Sequence, residues 1–120
     1  MPEKIIINNE ELKQSLLTTM GDKEMVRILN ATILQSKSIT DIIKETNIPH
    51  TTAYRKTKWM VEKGLLTVDR IEVSSDGKKF SLLRSVFKSI ESKYEYDKLT
   101  VEIEQNVDLL QKIAQKIFSL

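Results

Sequence analysis

The chain has 120 residues, of which 40% are hydrophobic and 30% charged, with a formal net charge of +2. That is room for one domain with a modest core, and it excludes a large multidomain enzyme and a disordered or fibrous chain. With no cysteine and one histidine, disulfides, thiolate metal sites, iron–sulfur clusters and cysteine nucleophiles are excluded, and little remains for imidazole-based metal or triad chemistry.

The longest apolar runs, such as Ile5 to Ile7, fall far short of the roughly 20 residues that cross a bilayer. Met1-Pro2-Glu3-Lys4 has no basic stretch leading into an apolar one, so a cytoplasmic protein without a membrane segment is expected. After a short extended start at Ile5–Ile7, Asn8 or Asn9 caps a helix from about Glu10 to Met20, with Leu12, Leu16 and Leu17 on its buried face. Gly21-Asp22 breaks the chain. A second helix carries Met25, Ile28, Leu29, Thr32 and Ile33 at helical spacing and ends near Gln35. Thr40 is expected to cap a short third helix with Ile42 and Ile43 on its core side, and Asn47 to end it. Pro49 suits the start of a fourth helix from about His50 to Lys63, stopped by Gly64.

From Leu65 the apolar period changes to two, through Leu66, Val68 and Ile71. Asp76-Gly77 is a strong turn signal, and Phe80, Leu82 and Leu83 form the returning strand, which gives a hairpin over 66–83 with Lys78 and Lys79 at its tip. Val86–Glu95 and Leu99–Glu104 predict a second hairpin around Tyr96-Asp97-Lys98, with Leu99, Val101 and Ile103 on one face. The last segment, Val107 to Leu120, places Val107, Leu110, Ile113, Ala114, Ile117 and Phe118 in one apolar helical stripe. Such a stripe either covers the protein's own sheet or pairs with a second copy; pairing is favoured.

The charge is unevenly spread: residues 1–49 carry −1, residues 50–88 carry +5 and residues 89–120 carry −2. A basic block between acidic ones suits a polyanion-binding surface, though a solvated lysine-rich face leaves a similar trace. Projecting residues 50–63 at 100° per residue puts Ala53, Thr57, Met60 and Val61 on one side and Thr51, Arg55, Lys58 and Glu62 on the other.

Helices, a short helix, a turn at Asn47-Ile48-Pro49, another helix and a hairpin follow the order of a winged helix-turn-helix. The run with Thr40, Ile42, Ile43, Asn47, Thr51-Thr52-Ala53-Tyr54-Arg55 and Glu62-Lys63-Gly64-Leu65-Leu66 resembles the ArsR-like winged-helix transcription regulators, particularly short archaeal ones. The resemblance covers about residues 10–90. It implies an α+β fold: a winged helix-turn-helix with N-terminal helices, a β-hairpin wing, a second β-hairpin and a C-terminal dimerisation helix. Residues 1–85 would be the DNA-binding domain and 86–120 the dimerising part.

The resemblance implies that helix 50–63 enters the major groove of duplex DNA. Arg55 is the first candidate for base contact, because a guanidinium bridges O6 and N7 of guanine; His50, Thr51 and Thr52 follow. Lys58, Lys78 and Lys79 are phosphate partners, and Tyr54 stacks on sugar or donates to phosphate. The plainer readings are that His50 merely starts the helix, that Tyr54 and Trp59 are partly buried packing residues, and that Arg55 and Lys58 are a solvated face. Relatives of this type often sense metals through cysteine pairs or histidine–carboxylate sets, which this chain lacks, so no metal, cofactor or catalytic residue is expected. The expected function is a homodimeric, sequence-specific transcription regulator, with any small-molecule effector left open. The alternative is a winged-helix protein-interaction module; a small hydrolase has no paired carboxylates or nucleophile–base set to support it.

Overall fold

The computed structural model describes residues 3–106 and is an α+β arrangement of four helices and two small antiparallel sheets. A three-residue strand, β1 (Lys4–Ile6), leads into α1 (Glu10–Met20) and α2 (Lys23–Thr32). Each of these helices starts on a side-chain cap. Asn9 Oδ1 accepts from the Leu12 amide at 2.9 Å, and Asp22 Oδ1 accepts from the Glu24 and Met25 amides at 2.9 and 3.0 Å. Both satisfy amides that a first turn leaves without intrahelical partners.

The second helix ends three residues before the expected Gln35, and tertiary bonding explains why. The Ile33 carbonyl accepts from Arg84 Nε at 3.1 Å and Asn106 Nδ2 at 2.9 Å, while Lys37 exchanges two main-chain hydrogen bonds of 2.9 and 2.8 Å with Leu83. Those bonds pull the following residues out of helical geometry.

The short helix α3 (Ile39–Thr46) is capped by Ser38, not by Thr40. Ser38 Oγ accepts from the Asp41 amide at 3.1 Å, and Asp41 Oδ2 accepts from the Ser38 amide at 3.4 Å, a reciprocal capping box. Asn47 ends the helix in left-handed backbone, φ 60°, a conformation asparagine tolerates better than most residues. Pro49 then opens α4 (His50–Glu62), and Gly64, at φ 83°, turns the chain out of it.

Strands β2 (Leu66–Val73) and β3 (Lys79–Ser85) pair as one hairpin, and β4 (Phe87–Glu95) and β5 (Lys98–Gln105) as a second. The first turn closes through Ser74 N to Lys78 O at 2.8 Å and Gly77 N to Ser74 O at 2.9 Å, with Gly77 at φ 83°. In the second sheet β1 joins the other side of β5, in the order β1-β5-β4 with Ile5 opposite Ile103.

One apolar cluster takes a residue from nearly every element: Leu16, Ile28, Ile42, Met60, Leu66 and Val101 are essentially inaccessible to solvent. The expected alternation in β2 fails at two places: Ile71 is 63% exposed, and Val68 and Asp69 are exchanged. Val68 is 44% exposed and Asp69 is buried, because the ladder slips between Val68 and Arg70 and the extra residue turns Asp69 inward, where Ser36 Oγ donates to it. The predicted helix over Val107–Leu120 lies outside the described residues.

Candidate nucleic-acid interface

Four turns of α4 present one face to the core and the opposite one to solvent. Ala53, Thr57 and Met60 are buried and Val61 is half-buried, while Thr51, Arg55, Lys58 and Glu62 are exposed, as the helical projection requires. His50, the first residue of the helix, is also exposed, and Thr52 is half-buried. Trp59 packs half-buried against the core, as expected; Tyr54 departs from the partly buried reading and is 57% exposed, beside Arg55. Its position on the helix, one residue past Ala53, swings the ring off the packed face.

A charged clamp that no sequence pattern singled out fixes the helix in place. Lys56 Nζ donates to Asp22 Oδ2 at 2.6 Å and to Glu24 Oε1 at 2.8 Å, joining the middle of α4 to the start of α2. Hydrogen bonds from Lys56 to Asp22 and Glu24 raise the ammonium above its ordinary value against a smaller desolvation effect. Burial disfavours the Asp22 carboxylate, but the Lys56 hydrogen bond and charge and the Met25 and Glu24 amides together outweigh it and hold Asp22 below its ordinary value. Only the helical register, which sets position 56 between the two faces, hints at this role.

The basic residues of the 50–88 block divide into two groups. Lys56 is clamped, Lys63 reaches Glu11 at 3.5 Å, Arg70 pairs with Glu72 at 3.0 Å, and buried Arg84 donates to the Ile33 carbonyl. The side chains of Arg55, Lys58, Lys78 and Lys79 have no ion-pair or hydrogen-bond partner among the described residues, and all four are exposed. These are the four cations that the sequence placed on the exposed face of α4 and at the hairpin tip. Lys88, also exposed and likewise without an ion-pair or hydrogen-bond partner among the described residues, belongs to β4 in the other sheet.

The two pairs of cations sit on different elements. Arg55 and Lys58 lie on α4, a helix about 20 Å long at 1.5 Å per residue. Lys78 and Lys79 lie at the far end of β2–β3, about 23 Å along the strand from its base at 3.3 Å per residue. The Ser74 hydroxyl and the Lys78 amide hold Asp76 below its ordinary value, so the tip keeps one carboxylate locked inside its own turn. Helices α1, α2 and α3 each carry an acidic residue in the first turn, and α4 carries none. The positive end of its dipole therefore adds to the cations on its face.

Among the described residues no three histidine, cysteine or carboxylate side chains gather as a metal site would need, and no helix is long and apolar enough to cross a membrane. The expected dimer residues Val107, Leu110, Ile113, Ala114, Ile117 and Phe118 lie outside the described residues. Comparison with family models, with curated proteins and with solved structures gives no match.

Proposed function

We propose that this protein is a cytoplasmic, sequence-specific DNA-binding transcription regulator of the winged helix-turn-helix class, acting on duplex DNA as a homodimer. In this reading α3 and α4 are the helix-turn-helix, α4 enters the major groove, and β2–β3 is the wing. Arg55 reads a base edge, with His50, Thr51 and Thr52 beside it at the leading end of the helix. Lys58, Lys78 and Lys79 meet phosphates, and Tyr54 reaches sugar or phosphate. The observation that carries the proposal is the division of the basic residues: those placed for DNA have no protein partner, and most of the others are bonded within the fold.

A second reading, a winged-helix module that binds another protein, draws on Ile71 and Val73, which stand 63% and 62% exposed along β2. Selection of the purified protein against random duplexes, repeated at two salt concentrations, separates the two. A regulator enriches a roughly palindromic motif and loses affinity steeply with salt. No enrichment and a flat salt response refute DNA reading and favour the interaction module.

A further inference from the structure

Strand β4 ends its sheet: in the order β1-β5-β4, no strand among the described residues pairs with its outer edge. It is nine residues long, and from Glu91 to Glu95 every residue is exposed, including Tyr94 at 74%. A long open edge is a template for another strand. We propose that β4 is a seam between two copies of this chain, paired antiparallel across a two-fold axis at Ser92, in a sheet that runs continuously through both.

The register follows from the hairpin. Glu95 and Lys98 close a two-residue turn and so exchange main-chain hydrogen bonds, and by alternation Lys93 and Glu91 also bond toward β5. The amides and carbonyls of Ile90, Ser92 and Tyr94 therefore point to the open edge. Only registers that place these residues opposite one another form a ladder.

Centring the two-fold on Ser92 sets Ser92 against Ser92 of the second copy and Ile90 against its Tyr94, on the face that Ile90 shares with Val101 and Ile103. On the other face it sets Glu91 against the second copy's Lys93, twice by symmetry. Moving the centre to Glu91 opposes two glutamates directly. Moving it to Lys93 opposes two lysines and sets Glu91 against Glu95. Directly opposed like charges destabilise a strand pair, so the neighbouring registers are disfavoured.

The seam also gives Tyr94 an apolar neighbour. In the single chain, Tyr94 and Leu99 continue the face that holds Val101 and Ile103 but stay exposed. Lys93 now lies 3.4 Å from Glu95, and Glu91 lies 3.1 Å from Lys4; all four are more than half exposed and rearrange at small cost.

Sedimentation equilibrium of the full chain, from low micromolar concentrations upward and without DNA, tests the seam separately from the DNA reading. The wild type is expected to dimerise. Ser92→Pro removes an amide that points outward, so it should abolish dimerisation while leaving circular dichroism unchanged, with a Tm that no longer rises with protein concentration and equals that of the wild type where the wild type is monomeric. Glu91→Lys and Lys93→Glu each turn two attractive pairs into two repulsive ones and should weaken self-association by roughly tenfold or more. An equimolar mixture of those two variants restores opposite charges in both pairs and should recover wild-type affinity as a heterodimer, a readout that a folding defect does not mimic. A monomer at every concentration overturns the proposal and leaves Lys88 and Lys93 as guards of a free edge. A dimer that survives Ser92→Pro but is lost on deleting residues 107–120 overturns it in favour of the terminal segment.

Discussion

Replacing Lys56 with methionine keeps the length of the side chain and removes its charge. The ammonium bridges Asp22 at 2.6 Å and Glu24 at 2.8 Å, and the three side chains are 11%, 25% and 30% exposed. Removing one partner of a fully buried ion pair costs about 3–5 kcal/mol, whereas an exposed pair contributes at most about 1 kcal/mol. Water reaches both carboxylates here, so the cost lies between these limits, at about 2 kcal/mol. Asp22 Oδ1 still caps α2, so the helix start survives.

With a slope of about 2 kcal/mol per molar urea, the unfolding midpoint should fall by about 1 M at neutral pH. The difference has a signed pH dependence. Asp22 is held below its ordinary value, so its share of the stability is present above the ordinary carboxylate range and lost as pH falls through the folded value. Lys56 is raised above 10.5, so its share is present below 10.5 and lost as pH rises through the folded value. Wild type and variant should therefore differ most on the plateau between the two and converge at both extremes. Asp22→Asn retains a capping oxygen, and it should cost clearly less in the Lys56→Met background than alone, because the pair it breaks is already gone. A Lys56→Met protein within about 0.5 kcal/mol of wild type at neutral pH, with an unchanged slope, refutes the clamp.

Thr57 Oγ1 is buried with no hydrogen-bond partner among the described residues; Thr57→Val removes that unmet group at nearly constant shape and should stabilise by about 1 kcal/mol, seen as a Tm rise of about 4 °C. An unchanged or lower Tm would show that the hydroxyl is satisfied. Ser38→Ala deletes the α3 capping box and should cost about 1 kcal/mol by urea titration, while Thr40→Ala, which removes no cap, should cost much less. On a selected duplex Arg55→Ala should cost about 1–3 kcal/mol and relax preference at one position, whereas Lys78→Ala should weaken cognate and random DNA alike and lower the salt slope by about 1. Equal losses on both DNAs for Arg55→Ala would end its role as a base reader.

Most helix bounds were legible where local chemistry decides them, the exception being the start of α3, where Ser38 and not Thr40 is the cap. Asn9 before two glutamates, Asn47 at a left-handed position and Gly64 after Glu62-Lys63 place the ends of α1, α3 and α4 to within a residue, since caps and stops act through a few neighbouring atoms. The exposed face of α4 followed from 3.6-residue periodicity alone, which is why Arg55 and Lys58 were found. The Asp76-Gly77 turn located both lysines of the hairpin tip in the same local way.

What the tertiary structure decided depends on partners far along the chain. The early end of α2 comes from Arg84 and Asn106, which reach the Ile33 carbonyl from 51 and 73 residues away. Lys56 reads as one more basic residue on a helix until Asp22, 34 positions earlier, is brought beside it. The exposure of Val68 over Asp69 comes from a slip in pairing with β3, and Tyr94 and Leu99 share the apolar face of Val101 yet remain open to solvent. Periodicity reports which side chains share a face; only packing settles whether anything lies against it, because burial is a property of two surfaces and the sequence lists them one at a time.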